Sequence, residues 1–193
     1  MFKKVLLLAS AGLMVIGSAA AAEKVKIGFV TTITTPAGVI GRDMVDAVNL
    51  AMEDIGGKMA GRDVELIIED DGFKPAIGKQ KTDKLVKQDK VQFVTGFIWS
   101  HVLLASQKSA LEAGKFLISS NAGPSQMAGK LCHKNFFSTS WQNDQTPMAM
   151  GEVLNLNNVG SLYVMAPNYA AGKNMVAGVT RTFKGKIVGK DLT

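Results

Sequence analysis

Short apolar runs recur along the chain at a steady interval, and between them apolar residues return every three or four positions. The runs fall at 25–30, 64–68, 91–94, 116–118, 162–165 and 187–188, with a weaker one at 136–139. Runs of this length rich in Val, Ile, Leu and Phe read as strands buried on both faces. The intervening segments carry helical spacing. Met44, Val48, Ala51 or Met52, and Ile55 form one stripe that Gly56-Gly57 stops, and Thr82, Leu85, Val86 and Asp89 form a second. A third helix is predicted over 103–111, ended by Gly114. Pro147 in a first turn opens a fourth to Leu154, and a fifth runs over 172–183, closed by Gly185. Strand and helix in alternation predict an α/β chain with parallel sheets flanked by helices.

Sheets of this kind take ligands at the carboxyl ends of their strands. The turns expected there are 31–41, 96–102, 119–126 and 166–173, each rich in Gly, Ser, Thr, Asn or Pro. Each precedes a helix N-terminus, where free N–H groups and the helix dipole attract an anion without a charged side chain.

The first residues change the setting. Lys3 and Lys4 precede an apolar run from Val5 to Ile16, and small residues follow to Ala22. This is the pattern of a secretory signal peptide over 1–22, with cleavage expected between Ala22 and Glu23. The run is too short for a transmembrane helix, and no Cys follows it to carry a lipid. Removing it takes the formal charge from +6 to +4 over 171 residues, enough for a real core. The Lys-rich stretch 79–90 also holds Asp83 and Asp89, so it reads as a solvated helix face rather than a nucleic-acid patch. Cys132 is the one cysteine, which rules out a disulfide within the chain; it is expected to be a buried thiol or to pair outside these residues.

Catalytic and cofactor readings fail on particular residues. The stretch "APNYAAGKN" sets Pro167 and Asn174 where a phosphate loop needs Gly and Ser or Thr. In "GFIWSH", Ser100 lacks the glycines of a nucleophile elbow, and the adjacent His101 would point away from it. Ser100 is left as a neutral donor to a ligand, a helix cap, or both. His101, Cys132 and His133 lack metal-ligand spacing, and Asp70-Asp71 reads as a turn-former. No catalytic constellation, metal or cofactor is expected. Trp99 and Tyr169 both fall in the ligand turns, which favours a partly apolar pocket with a polar handle; Asn121 and Ser125 are either ligand donors or turn formers.

The segments "KVKIGFVTTITTPAGVIGRDMVDAVNLAMEDI", "DDGFKPAIGKQKTDKLV", "VTGFIWSHVLLA", "FLISSNAGPS" and "APNYAAGKNMVAG", in that order, resemble the type I periplasmic solute-binding proteins of ABC importers, and within them the leucine/isoleucine/valine-binding type. The resemblance implies two α/β lobes that close on a ligand, a periplasmic location and a membrane permease as partner. It sets Ser100 and the backbone of Asn121, Ala122 and Gly123 on a small carboxylate, with Ile40 at the side-chain pocket and Tyr169 closing over the ligand. Amino-acid binders carry threonine where Gly123 stands and an aromatic residue where Ile40 stands. The segment "SNAGPS…C…FFSTSWQNDQ" looks more like relatives that carry aromatic or other organic acids.

The resemblance further implies a first lobe over 23–140 and only the start of a second, incomplete lobe over 141–193. An isolated product of this length is expected to be marginally stable and to bind ligand poorly. The ligand-sensing ectodomain of a receptor with the same fold is the alternative function, and an exported α/β hydrolase a remote one.

Overall fold

A computed structural model of the chain describes residues 23–193; the expected signal peptide lies outside them. The first part alternates β1 (Val25–Thr31), α1 (Val39–Asp54), β2 (Lys58–Met59), β3 (Arg62–Asp70), α2 (Pro75–Lys87), β4 (Phe93–Gly96), α3 (Ser100–Leu111), β5 (Phe116–Ser119) and β6 (Phe136–Ser138). Then come α4 (Gln145–Leu156), β7 (Ser161–Ala166), α5 (Ala170–Thr182) and β8 (Lys186–Leu192). Strands β1 to β6 make one sheet in the order β2-β3-β1-β4-β5-β6, and β7 pairs with β8 in a second. All pairings are parallel except the short β2–β3 hairpin. The α/β class with parallel sheets and flanking helices is as the sequence pattern predicts.

Register assigns the two faces of the larger sheet. Gly28 pairs with Ile67 and Val94, and Val94 with Leu117, so these share a face with Val30. That face meets α2 and α3 in the core, where Val30, Leu85, Val94, Leu103 and Leu117 are fully buried. Truncating such a side chain costs about 2–5 kcal/mol. The opposite face carries Ile27, Phe93, Phe116, Ile118 and Phe137. Here α1 makes close contact through Gly41, its one buried residue, above Thr31 and Thr32. The aromatic row continues past it: Phe93 and Phe116 stack at 5.5 Å, and Phe137 next to them is 51% exposed.

Three expectations shift. Helix α2 begins at Pro75, well before Thr82, because Pro at the first helical position needs no N–H partner. The ladder of β4 begins at Phe93 rather than Val91. Lys90 turns the chain at φ +58°, and Val91 serves the core from that turn, its N–H on Leu85 O. Cys132 is exposed rather than a buried thiol, since its neighbour Leu131 is the one packed against the core. The Lys-rich stretch is an ion-paired helix face: Lys79 and Lys87 flank Asp83, and Lys81 and Lys84 hold Glu69.

The chain runs from β1 to β3 on one side and returns to β4 on the other, so the topological switch lies between the ends of β1 and β4. Gly96 closes that junction. Its φ is +99°, and a Cβ there would stand 2.4 Å from Val30 O. Phe97 follows at φ +63°, fully buried, with its N–H on Val30 O at 2.6 Å.

Gly96→Ala is expected to cost at least about 2 kcal/mol, read as a lower urea midpoint, because both conformation and space exclude the methyl. Burial pushes Glu69 up, but hydrogen bonds and charge from Lys81 and Lys84 outweigh it and leave its pKa below 4.5. A lowered carboxylate stabilises the fold above its unfolded pKa and loses that stabilisation as pH falls through the folded value. Urea titrations from pH 6 down to 3 should show this loss, and Glu69→Gln should flatten the slope.

Candidate ligand-binding site

The site begins at the β1–β4 switch, where α3 starts immediately after Trp99. The Trp99 carbonyl accepts from both Val102 and Leu103, so the N–H groups of Ser100 and His101 precede the first backbone bonds of the helix. Ser100 occupies the first helical position and makes no capping bond, so the capping role open to it in the sequence is not the one it has. Its hydroxyl, 2% exposed, instead accepts a hydrogen bond from Asn143 Nδ2 at 2.9 Å.

Trp99 is pinned from below. Its indole N–H donates to Thr32 Oγ1 at 2.9 Å, and the Thr32 hydroxyl donates to Asp71 Oδ1. Asp71 Oδ1 also accepts from Phe73 N at 2.8 Å, forming the turn that leads out of β3. Asp70 stabilises the same turn by accepting from Ile33 N, Thr34 Oγ1 and Gly72 N, so the pair are turn-formers as the sequence indicated. Phe73, at φ +65°, is thereby held in a left-handed conformation beside the site, a place where backbone strain often accompanies function.

Four rings converge here from three segments. Phe73 meets Trp99 edge-on at 4.8 Å and His101 at 5.0 Å, while Tyr169, ahead of α5, meets Trp99 at 6.0 Å and His101 at 5.2 Å. Burial lowers the His101 pKa against the opposing pull of the Phe73 backbone and Asp71. Burial alone raises that of the Tyr169 phenol. Both rings are therefore neutral near pH 7. Burial also raises the pKa of Asp71, despite its bonds from Thr32 and Phe73. The group presents apolar faces, a neutral hydroxyl and helix N–H donors, a set suited to an anion with an apolar body.

The other sequence candidates fall around it unevenly. Asn121 Nδ2 donates to Ile98 O at 3.0 Å, which ties the β5 exit to the β4 exit. The Ala122 N–H is committed to Phe97 O and so is not a free donor. A Cβ on Gly123 would lie 1.8 Å from the Trp141 carbonyl, so the chain approaching α4 leaves no room for the threonine of amino-acid binders. Ile40 is an exposed side chain in the first turn of α1. The sequence gives no role to Phe73 or Asn143, and it raises His101 and Asn174 only to set aside nucleophile, metal and phosphate chemistry. Phe73 follows a strand exit, and applying the strand-exit rule to β3 would have found it. An apolar groove of about 380 Å³ lies between α4, α5 and β7.

The model of the family described as "Periplasmic binding protein" matches residues 24–193. Over 151 residues the chain is 27% identical to Leu/Ile/Val-binding protein homolog 6 of Brucella abortus, covering 76% of this chain and 38% of that one. A solute-binding protein of an ABC transporter from R. palustris, solved in complex with benzoate, superposes with TM-score 0.82 at 28% identity, over 89% of this chain and 48% of that one. Another, from Rhodopseudomonas palustris BisB5 in complex with 3,4-dihydroxybenzoic acid, gives TM-score 0.80 at 25% identity, over 86% and 46%. The chain spans about half the length of these structures and less of the Brucella protein. With the family match running through all but the first of the described residues, this chain belongs to the periplasmic binding protein family.

Proposed function

We propose that this chain belongs to the periplasmic substrate-binding component of an ABC importer, which captures a small carboxylate between two lobes and delivers it to a membrane permease. The six-stranded sheet is the body of the first lobe, about 23–140, and residues 141–193 open the second. The observation that carries this reading is the start of α3. There the Ser100 hydroxyl and the N–H groups of Ser100 and His101 stand beside four neutral rings drawn from both sides. A carboxylate would lie on the helix N-terminus and its body among the rings.

An aromatic acid fits better than an aliphatic amino acid. The rings supply faces and edges for stacking, and the relatives named above were solved with benzoate and 3,4-dihydroxybenzoic acid. Gly123 also lacks the side-chain donor that the resemblance associates with amino-acid binders. A branched-chain amino acid is the second reading, supported by the name of the Brucella relative. Closure would be a shift between open and closed populations driven by contacts from both lobes, with no covalent chemistry.

Isothermal titration of benzoate, 3,4-dihydroxybenzoate and isoleucine into the protein purified from its host's periplasm tests this. Saturable binding of an aromatic acid, weakened about tenfold to a hundredfold by Ser100→Ala, is expected for loss of one hydrogen bond to a charged group. Binding of isoleucine alone would favour the second reading. An affinity indifferent to Ser100→Ala would remove the carboxylate from α3.

A further inference from the structure

One backbone N–H orients a row of side chains that ends at Ser100. The Ser125 N–H can only donate, and it lies 3.1 Å from one terminal atom of Asn174; that atom must therefore be the oxygen, Oδ1. Asn143 approaches the same oxygen at 3.4 Å, so it must present its amide nitrogen, Nδ2. The same Nδ2 lies 2.9 Å from Ser100 Oγ, so the hydroxyl accepts this bond. The Ser100 proton is then left free for an acceptor elsewhere, and in the reading above that acceptor is the ligand carboxylate.

Burial and backbone contacts hold the middle of the row. Asn143 is 4% exposed, and its own N–H donates to Gly123 O at 2.8 Å. Next to it, Asp144 is buried, with its carboxylate 3.3 Å from Arg181 on α5 and accepting from Gln142 Nε2. Asn174 sits on α5, Asn143 ahead of α4, and Ser100 and Ser125 among the elements of the larger sheet. The row thus spans the two sheets and is complete only when α5 lies close to Ser125.

We propose that Asn143 is the positioning residue of the carboxylate site and Asn174 its interlobe anchor. Together they turn the Ser100 hydroxyl into a donor when the two sheets approach. This rests on the carboxylate reading of α3. It assigns a cause to the strength of the Ser100 contact, since a hydroxyl that already accepts a hydrogen bond donates more strongly. It also accounts for Gly123: the chain that excludes a side chain there delivers Asn143 instead, and the missing donor of the amino-acid binders is replaced by one acting through Ser100.

The test is a double-mutant cycle with benzoate as probe. Asn143→Ala is expected to weaken benzoate about fivefold to tenfold in the wild-type background and to have almost no effect in Ser100→Ala, because it acts through that hydroxyl. Asn143→Asp, which offers the hydroxyl an acceptor instead of a donor, should abolish binding. Asn174→Ala should weaken benzoate several-fold, mainly through faster release, and Asn174→Asp, which keeps the acceptor oxygen, should restore most of that loss. Equal effects of Asn143→Ala with and without Ser100, or no recovery with Asn174→Asp, would overturn the proposal. The same Asn143–Ser100 cycle read by urea unfolding without ligand separates the two ideas. If no probe binds the wild-type protein, the carboxylate reading fails. Coupling between the two residues would then still support the row, and additive effects would overturn it.

Discussion

The geometry of the site depends on a single hydroxyl. Thr32 accepts from the Trp99 indole and donates to Asp71, joining the ends of β1, β4 and β3 across the crevice where the strand order reverses. A hydroxyl can do both at once, and a carboxylate already accepting from Phe73 N gives it a fixed acceptor. Trp99 is thereby set before α3 begins, and with it the direction in which Ser100 and His101 emerge. Phe73 is held opposite by the same aspartate. Asp71 is fully buried: its Oδ1 takes both bonds, its Oδ2 has no hydrogen-bond partner among the described residues, and burial raises its pKa.

Around that junction, the polar and apolar parts of the site have separate supports. The Phe73, Trp99 and His101 rings are positioned from below, by the turn at Asp71 and by the left-handed residues Phe73 and Phe97. The polar row is positioned from the side, by the backbone of Ser125 and Gly123. The candidate site presents oriented dipoles rather than a cation. Backbone donors and a helix terminus contribute modest energies, on the order of 1 kcal/mol each, and hold without neutralising.

The larger sheet is unevenly protected. The face toward α2 and α3 is a closed core, while the face bearing Phe93, Phe116 and Phe137 is covered only in part by α1. The α4–α5–β7 groove is the corresponding apolar surface beside the second sheet.

The sequence by itself determined the alternation of strands and helices, the strand exits at which the candidate site lies, and the presence of Ser100, Trp99 and Tyr169 at those exits. Apolar periodicity and turn chemistry are local properties, and a parallel sheet converts them into one ligand edge. It also supported the exclusion of a phosphate loop, since Pro167 and Asn174 remove that chemistry wherever the chain goes. The start of α2 was hidden because the buried position ahead of Thr82 is Gly78, which carries no apolar signal. Only the tertiary structure decided the rest. That Ala122 spends its N–H, that Gly123 cannot bear a side chain, that Cys132 faces out, and that Asn143 meets Asn174 all follow from approaches between distant segments. An asparagine has no local signature of its partner. Which of its two ends faces Ser100 is settled by a backbone N–H 49 residues away from Asn174.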